Sequence, residues 1–537
     1  MIKRLMNIGL ACVAAVGLLV LGGCDEDKNA NNQSQNPAAV IRLLSGSENK
    51  SIEPILVDAA KQAGYTLKVD YKGSVDILRE LEKGKSTDYD AVMPADRMWI
   101  TLGDTQRVVK NVQSIYRSPV VFGVKKSVAE RLGWTKGEVH VADILKAAQG
   151  GKLRFMMTSA TQSNSGAAAY FGFLYAFAGN PDVLSSKDLD KPEVAAKIKS
   201  ILGSVNRTAG SSGWLKDLFI DRYDYFDAMV NYESLVIETN QALVRQNREP
   251  LYAVYPVDGL AIADAPLGFI NKGDAAKEAG FIKMQQVLLS PAVQQQLLST
   301  GRRTGIGGVV SGADQNVFNP SQGIDVNRVL TPITMPAADT IEKALTLYQT
   351  AFRKPRLTVF VLDFSGSMNG HGDDDLKNGM RVILDQQLAA KYMLQASPKD
   401  VAIVVPFDGT YRWIKKVEGN DAGKLLDLWS AINAEVADGG TDFYTSIAAT
   451  LPEIKKYQYE NYSTSVVLMT DGDSQGSAQT LSTALTNAGL TNMPIYSIMF
   501  GDANPDQLNR LAKNSGGKVF NGKKDLVSAL REAFGYN

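Results

Sequence analysis

Short apolar runs alternate with amphipathic stretches between Val40 and about Thr300. Runs such as VIRLL, YDAVMP and SPVVFGV predict strands, and the segments between them carry apolar residues at helical spacing. The run LVIET at 235–239 also predicts a strand, whereas AAAYFGFLYAFAG at 167–179 predicts a buried helix. Because strands that alternate with helices form sheets covered by helices, this part of the chain predicts two α/β lobes.

The C-terminal third shows the same alternation. A strand at 357–362, an amphipathic helix, the strand VAIVVPF, a helix at 421–434 and the strand SVVLMT follow one another. This order predicts a doubly wound α/β sheet. A segment rich in Gly, Pro, Asn and Ser at 308–330 and a helix at about 338–352 precede it, and they predict a linker.

Composition narrows the possible chemistry. The 537 residues include 57 Lys plus Arg and 57 Asp plus Glu, so the formal net charge is zero and a nucleic-acid partner is not expected. The apolar share of 45% and the charged share of 21% are those of an ordinary globular protein. With two Cys and two His, a disulfide framework and a Cys/His metal cage are excluded, so any metal must be held by oxygen.

The N-terminus has the layout of a secretory signal. Residues 1–23 contain Lys3 and Arg4, an apolar run, and small residues before Cys24. The stretch LVLGGC resembles the lipobox of bacterial lipoproteins, which implies that Cys24 is lipidated and begins the mature chain. The alternative is an uncleaved membrane anchor. Residues 24–38 are polar and lack apolar periodicity, and they predict a disordered tether.

The lipobox resemblance implies a lipid-anchored protein on the extracytoplasmic face of the cell membrane. Asp25 and Glu26 resemble the retention signal of Gram-negative lipoproteins, which implies the periplasmic side of the inner membrane in such a cell. Later segments fall short of the ~20 apolar residues that span a bilayer. The predicted attachment is therefore by lipid alone.

The first α/β region resembles the type II periplasmic solute-binding proteins of ABC transporters, in particular the molybdate and sulfate branch. The resemblance is carried by GSVDILRELEKG, YDAVMPAD, TSATQSNSGAAAY and QQQLLSTGRRTG. It implies a domain at 39–310, with lobe 1 at 39–117 and 264–310, lobe 2 at 118–263, and a linker with a helix at 311–355.

Serine-containing turns follow several predicted strands of this region. Open α/β sheets bind ligands where helix N-termini meet the carboxyl ends of strands, and hydroxyls there suit a small oxyanion or polar solute. The resemblance implies that Ser47 and Ser74 contact an anion, and Ser165, Tyr232 and Tyr255 are the candidates in lobe 2. The alternative is that these serines are ordinary helix N-caps.

A D-x-S-x-S sequence, DFSGSM, begins at the end of the strand at 357–362. One carboxylate and two hydroxyls there aim oxygen atoms at one point. Together with GGTDF and LMTDGDS, the motif resembles the von Willebrand factor A (VWA) domain with a complete metal-ion-dependent adhesion site, and this resemblance covers about 356–537. It implies the metal-site residues Asp363, Ser365, Ser367, Thr441 and Asp471.

The implied metal is Mg²⁺, or another divalent cation such as Ca²⁺ or Mn²⁺. Magnesium takes six oxygens and keeps waters, so a site with few protein ligands leaves a position open for a carboxylate of a protein partner. Asp442, next to the site threonine, is a further candidate. The acidic run at 373–375 predicts a stabilised helix N-terminus rather than a second metal site, and His371 predicts an exposed loop residue.

These features predict a membrane-anchored, extracytoplasmic binding or adaptor lipoprotein. Its VWA domain would dock protein partners through the metal, and its lobes would capture or sense a small solute, with an anion among the candidates. The alternative is the substrate-binding component of an ABC-type transporter. The chain has no phosphate-binding G-x-x-x-x-G-K-[ST] loop, and we do not expect an enzyme.

Overall fold

The computed structural model describes residues 39–305, 310–501, 503–523 and 525–535. The predicted signal peptide, Cys24 and the predicted tether lie outside the described residues. The described strands, in chain order, are β1 Val40–Ser45, β2 Thr66–Tyr71, β3 Ala91–Met93, β4 Val109–Ser114, β5 Ser118–Lys125, β6 Phe155–Thr158, β7 Arg207–Ala209, β8 Ala228–Tyr232, β9 Leu251–Val254, β10 Ile262–Ala263, β11 Pro266–Ile270, β12 Arg356–Asp363, β13 Val401–Phe407, β14 Lys415–Glu418, β15 Ser463–Thr470, β16 Ile495–Met499 and β17 Val519–Asn521.

The α-helices cover these strands on both sides. In chain order they are α1 Glu53–Gln62, α2 Ser74–Glu82, α3 Met98–Gly103, α4 Lys126–Arg131, α5 Val141–Gln149, α6 Asn164–Phe177, α7 Ser186–Leu189, α8 Pro192–Gly203, α9 Ser212–Asp221, α10 Glu233–Arg245, α11 Ala275–Leu288, α12 Pro291–Ser299, α13 Ala338–Leu347, α14 His371–Leu384, α15 Gln386–Lys391, α16 Ala422–Asn433, α17 Phe443–Ile454, α18 Ala478–Ala488, α19 Pro505–Ser515 and α20 Leu526–Gly535. Within the described residues, none of the helices is both long and apolar enough to cross a membrane.

The strands form three sheets. The first has the order β2-β1-β3-β11-β4, and the second has the order β10-β5-β8-β6-β7 with β9 also paired to β5. The chain passes from the first sheet to the second between β4 and β5 and returns between β10 and β11, so two lobes result. The third sheet, β14-β13-β12-β15-β16-β17, is parallel except for β14 at its edge. The predicted fold class is confirmed.

The predicted strand at 235–239 is wrong, because these residues lie in the helix α10. Leu235, Val236 and Ile237 are all buried, since α10 packs against β5 and β9 on one side and against α9 on another. A helix buried on several sides has no polar face at this point, so its sequence shows an apolar run like that of a buried strand.

The predicted linker contains a helix that belongs to the core of lobe 2. Ile341 and Leu345 of α13 and Phe352 of the following π-helical turn are buried in the same apolar cluster as α6. The hydroxyl of Tyr170 on α6 donates to the carbonyl of Ala344 at 2.9 Å. The segment before the C-terminal domain is thus held in place by packing.

The C-terminal domain contacts lobe 2 through the amino ends of its strands. Arg207 of β7 donates to the hydroxyl of Tyr496, near the start of β16, at 2.7 Å and to the carbonyl of Gly516, before β17, at 2.8 Å. Arg222 donates to two backbone carbonyls at the end of α19, both at 3.1 Å. The carboxyl ends of the same parallel strands therefore lie at the opposite edge of the sheet.

Replacing Leu345 by Ala tests whether α13 is a structural part of lobe 2. Because Leu345 is fully buried, the loss of its side chain should lower the free energy of unfolding by about 2–5 kcal/mol. The matched control is Thr346→Ala at the neighbouring exposed position, which should change it by less than about 0.5 kcal/mol. Urea unfolding followed by circular dichroism measures both, and equal effects would show that α13 does not support the core.

Candidate metal centre and solute cleft

Three loops meet at the carboxyl edge of the third sheet. They follow β12, precede α17 and follow β15, and they contain the DFSGSM, GGTDF and LMTDGDS motifs. The backbone N–H of Gly366 donates to the carbonyl of Gly439 at 3.0 Å, and that of Gln475 donates to the carbonyl of Thr441 at 2.8 Å. These bonds join the second loop to the first and third, so the spacing of their side chains is fixed by the backbone.

The hydroxyl and carboxylate oxygens of these loops converge on one point. The hydroxyl oxygens of Ser365 and Ser367 are 3.2 Å apart, and the Ser367 hydroxyl donates to Oδ1 of Asp471 at 2.8 Å. A Cβ atom added at Gly472 would lie 3.6 Å from both the Ser367 and the Thr441 hydroxyl oxygens, so Thr441 faces the same point. Adjacent oxygens around an octahedral Mg²⁺ at 2.0–2.1 Å are about 2.9 Å apart. The donors therefore fit a cation of this kind.

Asp363 is the buried carboxylate of the site. Its Oδ1 accepts from the backbone N–H of Ser365 at 2.8 Å, and its Oδ2 accepts from the hydroxyl of Thr470. Burial raises the pKa of Asp363 to about 6, and the negative charge of Asp471 acts in the same direction. A divalent cation near both carboxylates would offset the cost of burying them and their mutual repulsion. The site therefore fits such a cation by its charge as well as by its oxygen spacing.

The neighbouring acidic residues have structural roles. Asp442 is the N-cap of α17 and accepts from the backbone N–H of Thr445 at 3.0 Å. Asp373 lies in the first turn of α14 and pairs with Lys377 at 2.8 Å. His371 is the exposed first residue of α14. Across the described part of the chain, no group of three or more His, Cys, Asp or Glu side chains forms a metal cluster, so a cation here would depend on hydroxyls.

A polar cavity of about 110 Å³ lies between the two lobes, at the carboxyl ends of β1 and β2. Ser47 and Ser74 line it from lobe 1, and Ser163 and Ser211 line it from lobe 2. The N-cap positions next to Ser47 and Ser74 are occupied by glycines, so neither serine acts as the helix cap that the alternative reading required. These two predicted residues are thus brought to one cavity.

The lobes are closed over this cavity. The backbone N–H of Ser74 donates to the carbonyl of Gln162 at 2.8 Å, and the hydroxyl of Ser211 donates to that of Ser47 at 2.8 Å. A Cβ atom at Gly73 would lie 2.7 Å from the carbonyl of Gln162, so this close approach of the lobes requires glycine.

The structure places the other three predicted residues behind the cavity wall. The fully buried Ser165 hydroxyl bonds to Thr158 at 2.8 Å and to Ser212 at 2.9 Å. Tyr232 accepts from Asn164 at 3.2 Å. The Tyr255 hydroxyl donates to Glu233. Their polar atoms bond to neighbours inside lobe 2, and these residues do not line the cavity.

Tyr255 belongs to a buried polar network. Its partner Glu233 forms a salt bridge with Arg303 at 2.7 Å, and both side chains of that pair are fully buried. The hydroxyl of Tyr255, which directly follows β9, therefore bonds to one member of a structural ion pair. A tyrosine at the end of a strand can contact a solute or bond to a buried ion pair, and the local sequence does not distinguish these two roles.

Sequence reasoning missed the charged residues of the cavity and one hydroxyl of the metal centre. Glu48, Lys50 and Lys72 line the cavity beside the predicted serines. In the sequence, these three residues lie close to Ser47 and Ser74, and this proximity could have marked them. Thr470, which orients Asp363, directly precedes the site aspartate in LMTDGDS and could have been named on that ground.

Glu48 is the most perturbed acid of the cavity. It is 6% exposed, and its Oε1 has no hydrogen-bond partner among the described residues. Burial raises the pKa of Glu48 to about 7, against the opposing effects of a backbone hydrogen bond and of the Arg302 charge.

Two family models match separate parts of the chain. Residues 42–303 match the model described as bacterial extracellular solute-binding protein, and residues 358–519 match the model described as von Willebrand factor type A domain. No curated protein matches the chain.

Solved structures of both kinds resemble the chain. A von Willebrand factor type A protein from Catenulispora acidiphila is 19% identical over 35% of this chain, with a TM-score of 0.29, and the chain spans 43% of that protein. The ferric binding protein from Campylobacter jejuni is 15% identical over 57% of this chain and 98% of its own, with a TM-score of 0.42. A periplasmic binding protein from Actinobacillus pleuropneumoniae, solved with fructose-6-phosphate, is 11% identical over 57% and 96%, with a TM-score of 0.41.

The stability of the folded protein should depend on pH through Glu48. A carboxyl whose pKa is raised in the folded state stabilises fully below its unfolded pKa of 4.5, and this contribution is lost as the pH rises through about 7. A glutamine side chain cannot ionise, so Glu48→Gln avoids this loss. The free energy of unfolding of the variant, relative to that of the wild type, should therefore rise by up to about 3 kcal/mol between pH 5 and pH 8. Urea unfolding at both pH values measures the difference.

The control for this experiment is Glu130→Gln, at an exposed position of α4. The other titrating groups are the same in the wild type and the variants, so their contributions to the pH dependence of unfolding cancel in the comparison. If Glu48→Gln and Glu130→Gln show the same pH dependence of unfolding, the Glu48 carboxyl does not carry the predicted penalty.

Proposed function

We propose that this chain, which joins a bacterial extracellular solute-binding domain at 42–303 to a VWA domain at 358–519, is a membrane-anchored binding and adaptor protein. The solute-binding family is extracytoplasmic, and so is this chain. The VWA domain docks protein partners through a bound divalent cation, and the lobes capture a small solute. The protein acts by binding rather than by catalysis.

The convergence of Ser365, Ser367, Thr441 and Asp471 is the observation that carries the docking proposal. These side chains, with Asp363 behind them, would hold Mg²⁺, or Ca²⁺ or Mn²⁺ in its place. Mg²⁺ prefers six oxygens, and neutral hydroxyls leave the ion with net positive character. A Glu or Asp side chain of a partner would complete the coordination and gain Coulomb attraction.

The position of the metal centre supports docking. The lobes contact the amino edge of the VWA sheet, whereas the metal loops lie at the carboxyl edge. Ser367, Gly366 and Asn369 are exposed there. A partner can therefore approach the cation without displacing the lobes.

Capture of a solute is supported by the cavity between the lobes. Hydroxyls and backbone N–H groups surround it, and Lys50 and Lys72 add positive charge. The same lobes support the second candidate function, the substrate-binding component of an ABC-type transporter. In that case solute affinity, rather than partner docking, would be the property on which the function depends.

Anchoring is proposed through Cys24, the cysteine that ends the signal-like segment. Two residues of the mature N-terminus, Asp25 and Glu26, would keep the lipoprotein at the inner membrane of a Gram-negative cell. One lipidated N-terminal residue followed by a polar segment would leave the folded domains free to move above the membrane surface.

Asp471→Asn tests the metal centre. The variant keeps the shape of the side chain and removes its charge, so Mg²⁺ affinity should fall at least about tenfold. Isothermal titration of Mg²⁺ into the polypeptide from Ala39 to Asn537, which forms one compact unit, gives the affinity. The control Asp473→Asn changes an exposed residue of the same loop and should retain wild-type affinity. Equal Mg²⁺ binding by both variants would contradict the site.

Partner docking is tested with the same variants. Immobilised Glu-containing peptides should retain the protein in Mg²⁺ and release it in EDTA, and Asp471→Asn should not be retained. Retention that persists in EDTA would show that the metal is not the docking group.

Cys24→Ser tests the anchor. The wild-type protein expressed in bacteria should partition into the detergent phase of Triton X-114, because acyl chains add about 0.8 kcal/mol of membrane affinity per buried CH₂ group. Cys24→Ser should move the mature protein to the aqueous phase, whereas Cys12→Ser, inside the signal-like segment, should not. Aqueous partition of the wild type would contradict lipidation.

A further inference from the structure

One wall of the solute cavity comes from the VWA domain. Lys518, which directly precedes β17, and Glu532 of α20 line the same cavity as Ser47 and Ser74. The predicted solute site used residues of the two lobes only. In the structure, three parts of the chain surround the site.

Contacts with both lobes hold this wall in place. Arg531 of α20 forms an ion pair with Asp76 in the first turn of α2, and both side chains are about 95% buried. Arg222 of lobe 2 donates to the end of α19, close before Lys518. The VWA domain thus contacts lobe 1 and lobe 2 on either side of the cavity.

The charges of the cavity indicate the class of ligand. Lys50 and Lys72 line it from lobe 1, and Lys518 adds a third ammonium group, 4.0 Å from Glu532. The cavity also contains the first turn of α2, whose N-terminus favours negative charge. These groups suit an anion. A volume of about 110 Å³ equals the space of about four water molecules, so the anion is small.

Glu48 sets a second requirement. Its carboxyl oxygen Oε1 is buried against Gly46 at the cavity and lacks a hydrogen-bond partner among the described residues. A buried acceptor without a donor is costly, and a ligand that carries an O–H or N–H group would satisfy it. The ligand is therefore an anion that also carries a hydrogen-bond donor.

We propose that the VWA domain is part of the solute site, with Lys518 binding the negative group of a small anion and Glu48 accepting a hydrogen bond from a donor on the same anion. Hydrogen phosphate and the anion of a small hydroxy acid share this chemistry, and a zwitterionic small amino acid carries the same negative group and donor without a net charge. The inference rests on the proposed solute capture by the lobes. Because the solute then contacts three bodies, it stabilises the seating of the VWA domain on the lobes, and that seating strengthens solute binding by the same factor.

The test is a calorimetric titration at pH 8 of hydrogen phosphate, glycolate and glycine into the polypeptide from Ala39 to Asn537. At least one of these probes should bind the wild type. Lys518→Gln should weaken that binding at least tenfold, whereas Lys523→Gln, at an exposed position of the same segment, should leave it unchanged. Sulfate, which has no donor at this pH, should bind more weakly than the responding probe.

The outcomes separate the two proposals. Equal binding by the wild type and Lys518→Gln would show that the VWA domain is not part of the solute site, while the proposal that the lobes capture a solute would stand. Binding that also survives Ser74→Trp, in a variant with a native circular dichroism spectrum, would lie outside the cleft and overturn both. No response of the wild type to any of the three probes would overturn the inferred ligand class and with it the role of Lys518.

Discussion

A parallel β-sheet has two chemically different edges, and the arrangement of this protein depends on the use of both edges of the VWA sheet. The amino ends of β16 and β17 lie next to Arg207 of lobe 2. The carboxyl ends of β12 and β15 carry the oxygens of Asp363 and Asp471. The strands run between these edges without interruption, so the distance between the lobes and the metal centre is set by strand length.

The domains are held together by apolar packing as well as by charged side chains, since one buried apolar cluster includes Phe219 of lobe 2 and Tyr496 and Phe520 of the VWA domain. Arg531 is buried and Arg207 is half-buried at the boundary, and desolvation lowers the pKa of Arg207. A buried charge that loses its partner is strongly destabilising, so the seated arrangement is specific.

The arrangement of the candidate metal centre was largely predictable from the sequence, because its oxygen-bearing side chains lie within short motifs at strand ends. D-x-S-x-S places one carboxylate and two hydroxyls within five residues, so local geometry is enough to bring them together. The same argument found Ser47 and Ser74, which follow the strands of one lobe. The occupancy of the metal centre and the lipid on Cys24 stay predictions.

Other features depend on tertiary packing and could not be predicted locally. Ser165 and Tyr255 are followed or preceded by turn-like sequence, yet their hydroxyls bond to neighbours that the fold brings from elsewhere. The run at 235–239 lacks a polar face because α10 is enclosed on several sides. Lys518 lies more than 300 residues after the cavity residues of the lobes, and no pattern around it marks this position.

The packing of α13 into lobe 2 determines where a gene can be divided between the solute-binding domain and the VWA domain. A gene cut at the predicted boundary near residue 310 would encode a lobe 2 that lacks Leu345 and Phe352 and exposes the apolar face of α6. A gene cut after residue 355 would produce a complete lobe 2 with a helix attached. An exchange of one VWA domain for another therefore keeps the core of lobe 2 intact only when the junction lies after α13, at the start of β12.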